Sequence, residues 1–172
     1  MPGCLGLRES KPIIDLIQHQ KETCPEVTPH FVMVDGHGIW HPKKFGLACY
    51  VGVAVDIPTF GVAKNFFSFD GMDFLGRKCT EVTGKFVSPV GDSTEIKHPD
   101  DNSTIGLVLK SCAAAKNPVF VSVGHNISLL KARHLTVRTA IHRVPEPTRQ
   151  ADLIGRDYVR EHYKSKSSSI SE

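Results

Sequence analysis

Phe31-Val32-Met33-Val34 is an unbroken apolar run of strand length, and Asp35-Gly36-His37-Gly38 stops it with residues that favour a turn. Residues 45–55 follow and are almost all apolar, with Gly46, Ala48, Gly52 and Ala54 interspersed. Such a segment suits a buried helix lying close on a sheet. Residues 57–63 then read as a second short strand. A buried strand, a buried helix and another strand within about thirty residues predict an α/β fold with a mixed sheet.

The rest of the chain fits that frame. Residues 10–22 carry Ile13, Ile14, Leu16 and Ile17 between polar residues, which predicts an amphipathic helix with Ser10 as its N-cap and Pro12 in its first turn. Residues 66–101 mix glycine, aspartate and short β-prone runs such as Lys85-Phe86-Val87, and read as loops with a hairpin among them. Residues 105–109 and 119–123 are further strand candidates. An amphipathic segment spans 128–139, a last helix follows Pro147 to about Tyr163, and residues 164–172 form a polar, disordered tail. One domain over residues 1–163 is the simplest organisation for a 172-residue chain with 40% hydrophobic content.

Composition narrows the compartment and the partners. No apolar run approaches a membrane span and the N-terminus lacks the pattern of a secretory signal, so an intracellular, cytoplasmic or nuclear protein without membrane attachment is expected. Five scattered cysteines without a Cys-x-x-Cys pair favour free thiols over a zinc site. From Lys110 onward there are eleven Lys or Arg against five Asp or Glu. A basic region attracts polyanions, which admits nucleic acid as a partner, although a solvated helix face accounts better for charge alone.

Asp35 is the first candidate for chemistry, because it places a carboxylate at a strand end next to glycines that let a ligand approach. Taken singly it reads better as a turn-stabilising residue, just as Glu9 reads better as a first-turn helix acid, and Asp152 can be an ordinary helix residue. Three carboxylates converging from separate elements would bind Mg²⁺ or Mn²⁺, and such a cation can activate water against a phosphodiester. His41, before Pro42-Lys43-Lys44, can reach a base or phosphate, whereas His37 is expected in solvent. His125 reads equally as structural or functional. His30, His98 and His162 read as surface residues. Lys64, at a strand end, either offers charge to a phosphate or is a surface lysine. Arg149 and the neighbouring basics either grip a backbone or snorkel.

Five fragments in order, residues 2–9 (PGCLGLRE), 34–48 (VDGHGIWHPKKFGLA), 61–64 (GVAK), 121–125 (VSVGH) and 143–152 (RVPEPTRQAD), resemble endonuclease V. The resemblance implies a ribonuclease-H-like mixed sheet flanked by helices. It also implies metal-dependent cleavage of inosine-containing nucleic acid at the second phosphodiester 3′ to the inosine, leaving a 5′-phosphate. By position, Glu9 and Asp35 take the places of catalytic, metal-binding carboxylates, Asp152 that of a further active-site residue, and Lys64 a place near the scissile phosphate. Pro2, Gly3, Leu5, Gly36 and His41 fall where the family surrounds the flipped hypoxanthine, since a base is read most fully outside the stack. The Pro-x-x-Arg-Gln-Ala-Asp form resembles the animal branch and favours single-stranded RNA, with deaminated DNA also a substrate.

The family also has an N-terminal strand with another catalytic Asp and a Pro-Tyr wedge, neither of which has a counterpart here. On that basis the domain is expected to lack its first strand, leaving residues 31–34 without a neighbour and an exposed backbone edge. Weak activity follows from that expectation. A catalytically silent, nucleic-acid-binding remnant of the same fold is the alternative.

Overall fold

The computed structural model describes residues 5–70, 72 and 89–163, with the side chains of residues 5–7 left aside. Pro2, Gly3, the Lys85-Phe86-Val87 run and the tail therefore lie outside the described residues. The elements are α1 (Leu5–Thr23), β1 (Val32–Val34), α2 (Leu47–Val55), β2 (Thr59–Ala63), β3 (Ser93–Lys97), β4 (Thr104–Leu109), β5 (Val119–His125), α3 (Leu129–Thr139) and α4 (Glu146–Tyr163). Among the described residues five strands form one sheet in the order β1-β2-β5-β4-β3. Among the described strands only β1 and β2 are parallel; the other pairings are antiparallel, and β3 forms a hairpin with β4, so the strand expected at 105–109 is its second arm and the hairpin reaches beyond residues 66–101.

The expectation that residues 31–34 have no neighbour is corrected, because β2 pairs along β1 with Val32 opposite Thr59 and Val34 opposite Gly61. Among the described strands β1 is nonetheless an edge. The first helix is also longer than expected. Ser10 is a buried interior residue and not its cap, and Pro12 lies inside the helix. Proline removes one backbone hydrogen bond. Here the helix continues because Ile13, Ile14 and Ile17 pack with Val34, Leu47, Ala48 and Val51 of β1 and α2. Full burial of such a side chain is worth about 1.5–3 kcal/mol, and Ile17, with smaller contributions from the half-buried Ile13 and Ile14, offsets the local penalty.

Pleat alternation divides the core. On one sheet face Val34 and Ala63 meet α1, α2, Trp40 and Phe120. On the other, Phe60, Val62, Val119 and Val121 pack with Ala132 of α3. Ser128 caps α3 by accepting from the Lys131 amide. The small residues of α2 do what their spacing predicts: a Cβ on Gly52 would lie 2.3 Å from the His125 Cβ, so the helix sits directly on the sheet. Cys24, Cys49 and Cys112 are free thiols, as expected. Among the described residues no helix is long and apolar enough to cross a membrane.

Candidate functional site

Parallel pairing of β1 and β2 brings their carboxyl ends to one lip of the sheet, the place where α/β folds build sites. Asp35 follows Val34 and Lys64 follows Ala63, so register alone makes them neighbours. The Lys64 Nζ lies 2.9 Å from Asp35 Oδ2, with both side chains part-exposed. Solvent screening makes such a pair worth at most about 1 kcal/mol, so a ligand phosphate can draw the lysine away at small cost. Asp152 reaches the same lysine from the second turn of α4, a helix that touches β1. Hydrogen bonds from Arg156, and then the Lys64 charge, hold the Asp152 carboxyl below the usual carboxylate range.

The turn after Asp35 is clamped to β5. Gly38 N donates to Ser122 Oγ at 2.8 Å and Ile39 N donates to the Val123 carbonyl at 2.8 Å. Trp40 is fully buried, and its indole Nε1 donates to the Phe67 carbonyl at 3.0 Å. That bond fixes the segment after Lys64. Phe67, which is exposed, stacks on His41 with centroids 6.1 Å apart and planes 10° apart, and lies 5.7 Å from His37. Gly36 comes so close to β2 that a Cβ on Gly61 would lie 2.2 Å from its carbonyl oxygen. A concave surface of about 310 Å³ results, lined by Asp35, His37, Lys64 and Phe67 among others.

His37 is not in solvent, contrary to the expectation for it. Burial pushes its pKa down to about 4, against a backbone hydrogen bond at Asn65 that acts the other way. The ring is therefore neutral at physiological pH. Because the folded value lies below the unfolded 6.5, the unfolded chain binds the proton first as pH falls. Stability is accordingly at its full value above pH 6.5 and declines toward pH 4. Thermal melts across that window should show a shallower pH dependence for His37→Asn than for the unsubstituted chain; parallel profiles would contradict the assignment.

His98 also departs from expectation. It is 5% exposed, with its ring 5.5 Å from that of Phe69, and no surface residue. His125 bonds Asp56 Oδ1 through Nε2 at 3.1 Å, tying the end of β5 to the end of α2, which favours its structural reading. His41 is held below its ordinary pKa by burial first and Lys43 second.

The structure thus gathers Asp35, Lys64 and Asp152, with Gly36 and His41 beside them. Glu9 is exposed on α1, and Pro2, Gly3 and the Leu5 side chain are outside what is described. Among the described residues no three His, Cys, Asp or Glu side chains are grouped to hold a metal ion. Lys64 already occupies an Asp35 oxygen and Arg156 binds both oxygens of Asp152. As arranged, the described donors do not fit a closed Mg²⁺ or Mn²⁺ site.

Sequence reasoning missed two residues. Arg143 donates to the Pro118 carbonyl from Nε at 3.0 Å and Nη2 at 2.8 Å, and Nη2 also donates to the Lys64 carbonyl. It therefore fixes the backbone that presents Lys64. Its place at the start of the fragment 143–152 is the one signal that sets it apart from most other basic residues of the back third. Phe67 was likewise hidden in a loop, although three phenylalanines within four residues of Asn65 are a signal of an aromatic surface.

Comparison with known proteins adds the following. The family model described as Endonuclease V matches residues 1–153. Endonuclease V of Homo sapiens is 35% identical over 158 residues, covering 92% of this chain and 55% of that protein. Endonuclease V of Nocardia farcinica is 37% identical over 161 residues, covering 93% and 62% respectively. The chain spans roughly half to two thirds of the length of these relatives. The crystal structure of human ENDOV superposes with a TM-score of 0.86 at 34% identity, covering 94% of this chain and 66% of that one. Ciona intestinalis Endonuclease V, solved with a 24mer DNA containing an inosine followed by a ribo-adenosine, gives 0.84 at 24% identity, covering 94% and 67%. That last likeness concerns the fold alone.

Proposed function

Since the chain belongs to the endonuclease V family, we propose that it acts on inosine-containing nucleic acid as a metal-dependent endonuclease. Single-stranded RNA is the preferred substrate in this reading and deaminated DNA a second one. The bond cut is the second phosphodiester 3′ to the inosine, leaving a 5′-phosphate. The observation that supports this most is the meeting of Asp35, Lys64 and Asp152 at one lip of the sheet, beside Gly36, His41 and the exposed ring of Phe67.

Each residue has a physical part in this reading. Lys64 carries the positive charge that would exchange Asp35 for a phosphate oxygen. Asp35 accepts a hydrogen bond from the attacking water, and Asp152 sets the charge on the opposite side of the lysine. Gly36, next to Asp35, and His41, stacked on Phe67, stand beside the pocket for an extruded purine, where an imidazole whose protonation burial disfavours can donate or accept at a base edge. Dependence on Mg²⁺ or Mn²⁺ rests on the motif resemblance, with Glu9 and Asp35 as the oxygen donors.

The second reading, a nucleic-acid-binding remnant without cleavage, is favoured by one observation: both gathered carboxylates already hold basic side chains. Labelled single-stranded RNA and DNA, each with one inosine or its adenosine match, should be incubated with the chain in Mg²⁺, Mn²⁺ or chelator. Inosine-dependent cutting that needs metal, and that falls at least about 100-fold in Asp35→Ala, is the expected result. Selective binding without cutting moves the chain to the second reading. Equal treatment of inosine and adenosine strands would sink both.

A further inference from the structure

Beyond the concavity that holds Asp35, Lys64 borders a second and larger cleft of about 460 Å³ on the α4 side. Arg143, Arg149, Asp152 and Arg156 also line it, so its walls carry four basic side chains against one carboxylate. Most of those cations are committed. Arg143 serves two carbonyls, Arg156 serves Asp152, and Lys64 pairs with Asp35. Arg149 differs. Its Nε lies 3.6 Å from Glu146, too long for a good hydrogen bond, and its Nη1 is shielded from solvent yet donates to no acceptor. A guanidinium N–H removed from water without a partner is an uncompensated donor, and turning the part-exposed side chain toward an anionic oxygen in the cleft would compensate it.

We propose that Arg149 and the α4-side cleft form a phosphodiester seat, holding the nucleic-acid backbone on the far side of Lys64 from the purine pocket. This rests on the nucleic-acid reading above and extends it, because one lysine bordering both concavities lets a single strand run from one to the other. Glu146 also bonds His142 and Gln150 and stands beside Arg149. Its carboxylate limits how much net charge the seat presents and makes shape, not charge alone, set the position of the phosphate. A backbone contact carries no base information. Arg149 therefore contributes affinity and register but no preference for inosine.

The test measures anisotropy of labelled single-stranded RNA, with inosine and with adenosine, over a salt series. Arg149→Gln should weaken binding of both strands about 10-fold and lower the slope of log K against log salt by about 0.7, the single-strand value per phosphate contact. Arg149→Lys, which keeps the charge, should retain the slope; circular dichroism and melting temperature establish that both variants fold. A ladder of RNAs bearing one uncharged methylphosphonate each locates the contact. At one position the substitution and Arg149→Gln should fail to add. Unchanged affinity and slope in Arg149→Gln, or a loss confined to the inosine strand, would overturn the seat while leaving the purine pocket intact. A wild-type chain that binds neither RNA removes the reading and the seat together.

Discussion

Trp40→Ala should lower the free energy of unfolding by about 3–5 kcal/mol, a large share of the roughly 5–15 kcal/mol that holds a domain of this size. The indole is fully buried between Phe66 and Phe120, with edge-on ring contacts at 5.3 and 5.8 Å. Backbone beneath it cannot follow the retreat: a Cβ on Gly106 would already lie 2.5 Å from the ring. The cavity therefore stays largely open. Urea unfolding followed by circular dichroism measures the loss, since this is the only tryptophan and fluorescence would vanish with it. Trp40→Phe separates two roles of the ring. It keeps most of the packing but cannot donate to the Phe67 carbonyl, so substrate affinity should fall by more than its modest loss of stability accounts for. Equal, small effects on both would mean that the indole bond does not hold the site segment.

Gly38→Ala should be of comparable or greater effect, about 3 kcal/mol or more, although it adds one methyl group. That methyl would lie 1.9 Å from the Val123 carbonyl oxygen and 3.0 Å from the Gly124 nitrogen. Both are backbone atoms of β5, so no rotamer change relieves the overlap. The bonds from Gly38 N to Ser122 and from Ile39 N to Val123 must lengthen or break, and Asp35 sits three residues away on the same turn. Gly155→Ala is the matched control. Nothing stands within 4 Å of its Cβ position in α4, so alanine there should stabilise the chain by about 0.5–1 kcal/mol through helix propensity. A Gly38→Ala melt within a degree of the parent would show that the turn is free to move, against the geometry described.

The α/β architecture was legible because short apolar runs with turn residues at their ends leave few alternatives. Residues 31–34, 45–55 and 119–123 each became the expected element within a few residues. The start of α1 was not legible, because Ser10 and Pro12 imitate a helix beginning and only packing on α2 reveals otherwise. Within the site, Asp35, Lys64 and Asp152 stood out by motif; Asp35 meets Lys64 through a parallel register and Asp152 joins them through the docking of α4 on β1, neither of which a local pattern encodes. His37 and His98 were misjudged for a similar reason: imidazole burial depends on loops closing over it, and polar neighbours in sequence say nothing of that. Arg143 and Arg149 look alike as text. One is consumed by carbonyl groups and the other keeps a donor without an acceptor.

The clamp from the glycine turn to β5 also sets an order of events during synthesis. Asp35 and Lys64 are synthesised before the atoms that fix their surroundings, which belong to Ser122 and Val123; Ser122 lies 84 residues after Gly38 of the turn. Nascent chains arrested before β5 emerges would hold both side chains on a wandering thread, and pairings so distant in sequence form slowly. The lip that carries Asp35 and Lys64 would then take its final shape late and abruptly, once β5 has slotted between β2 and β4.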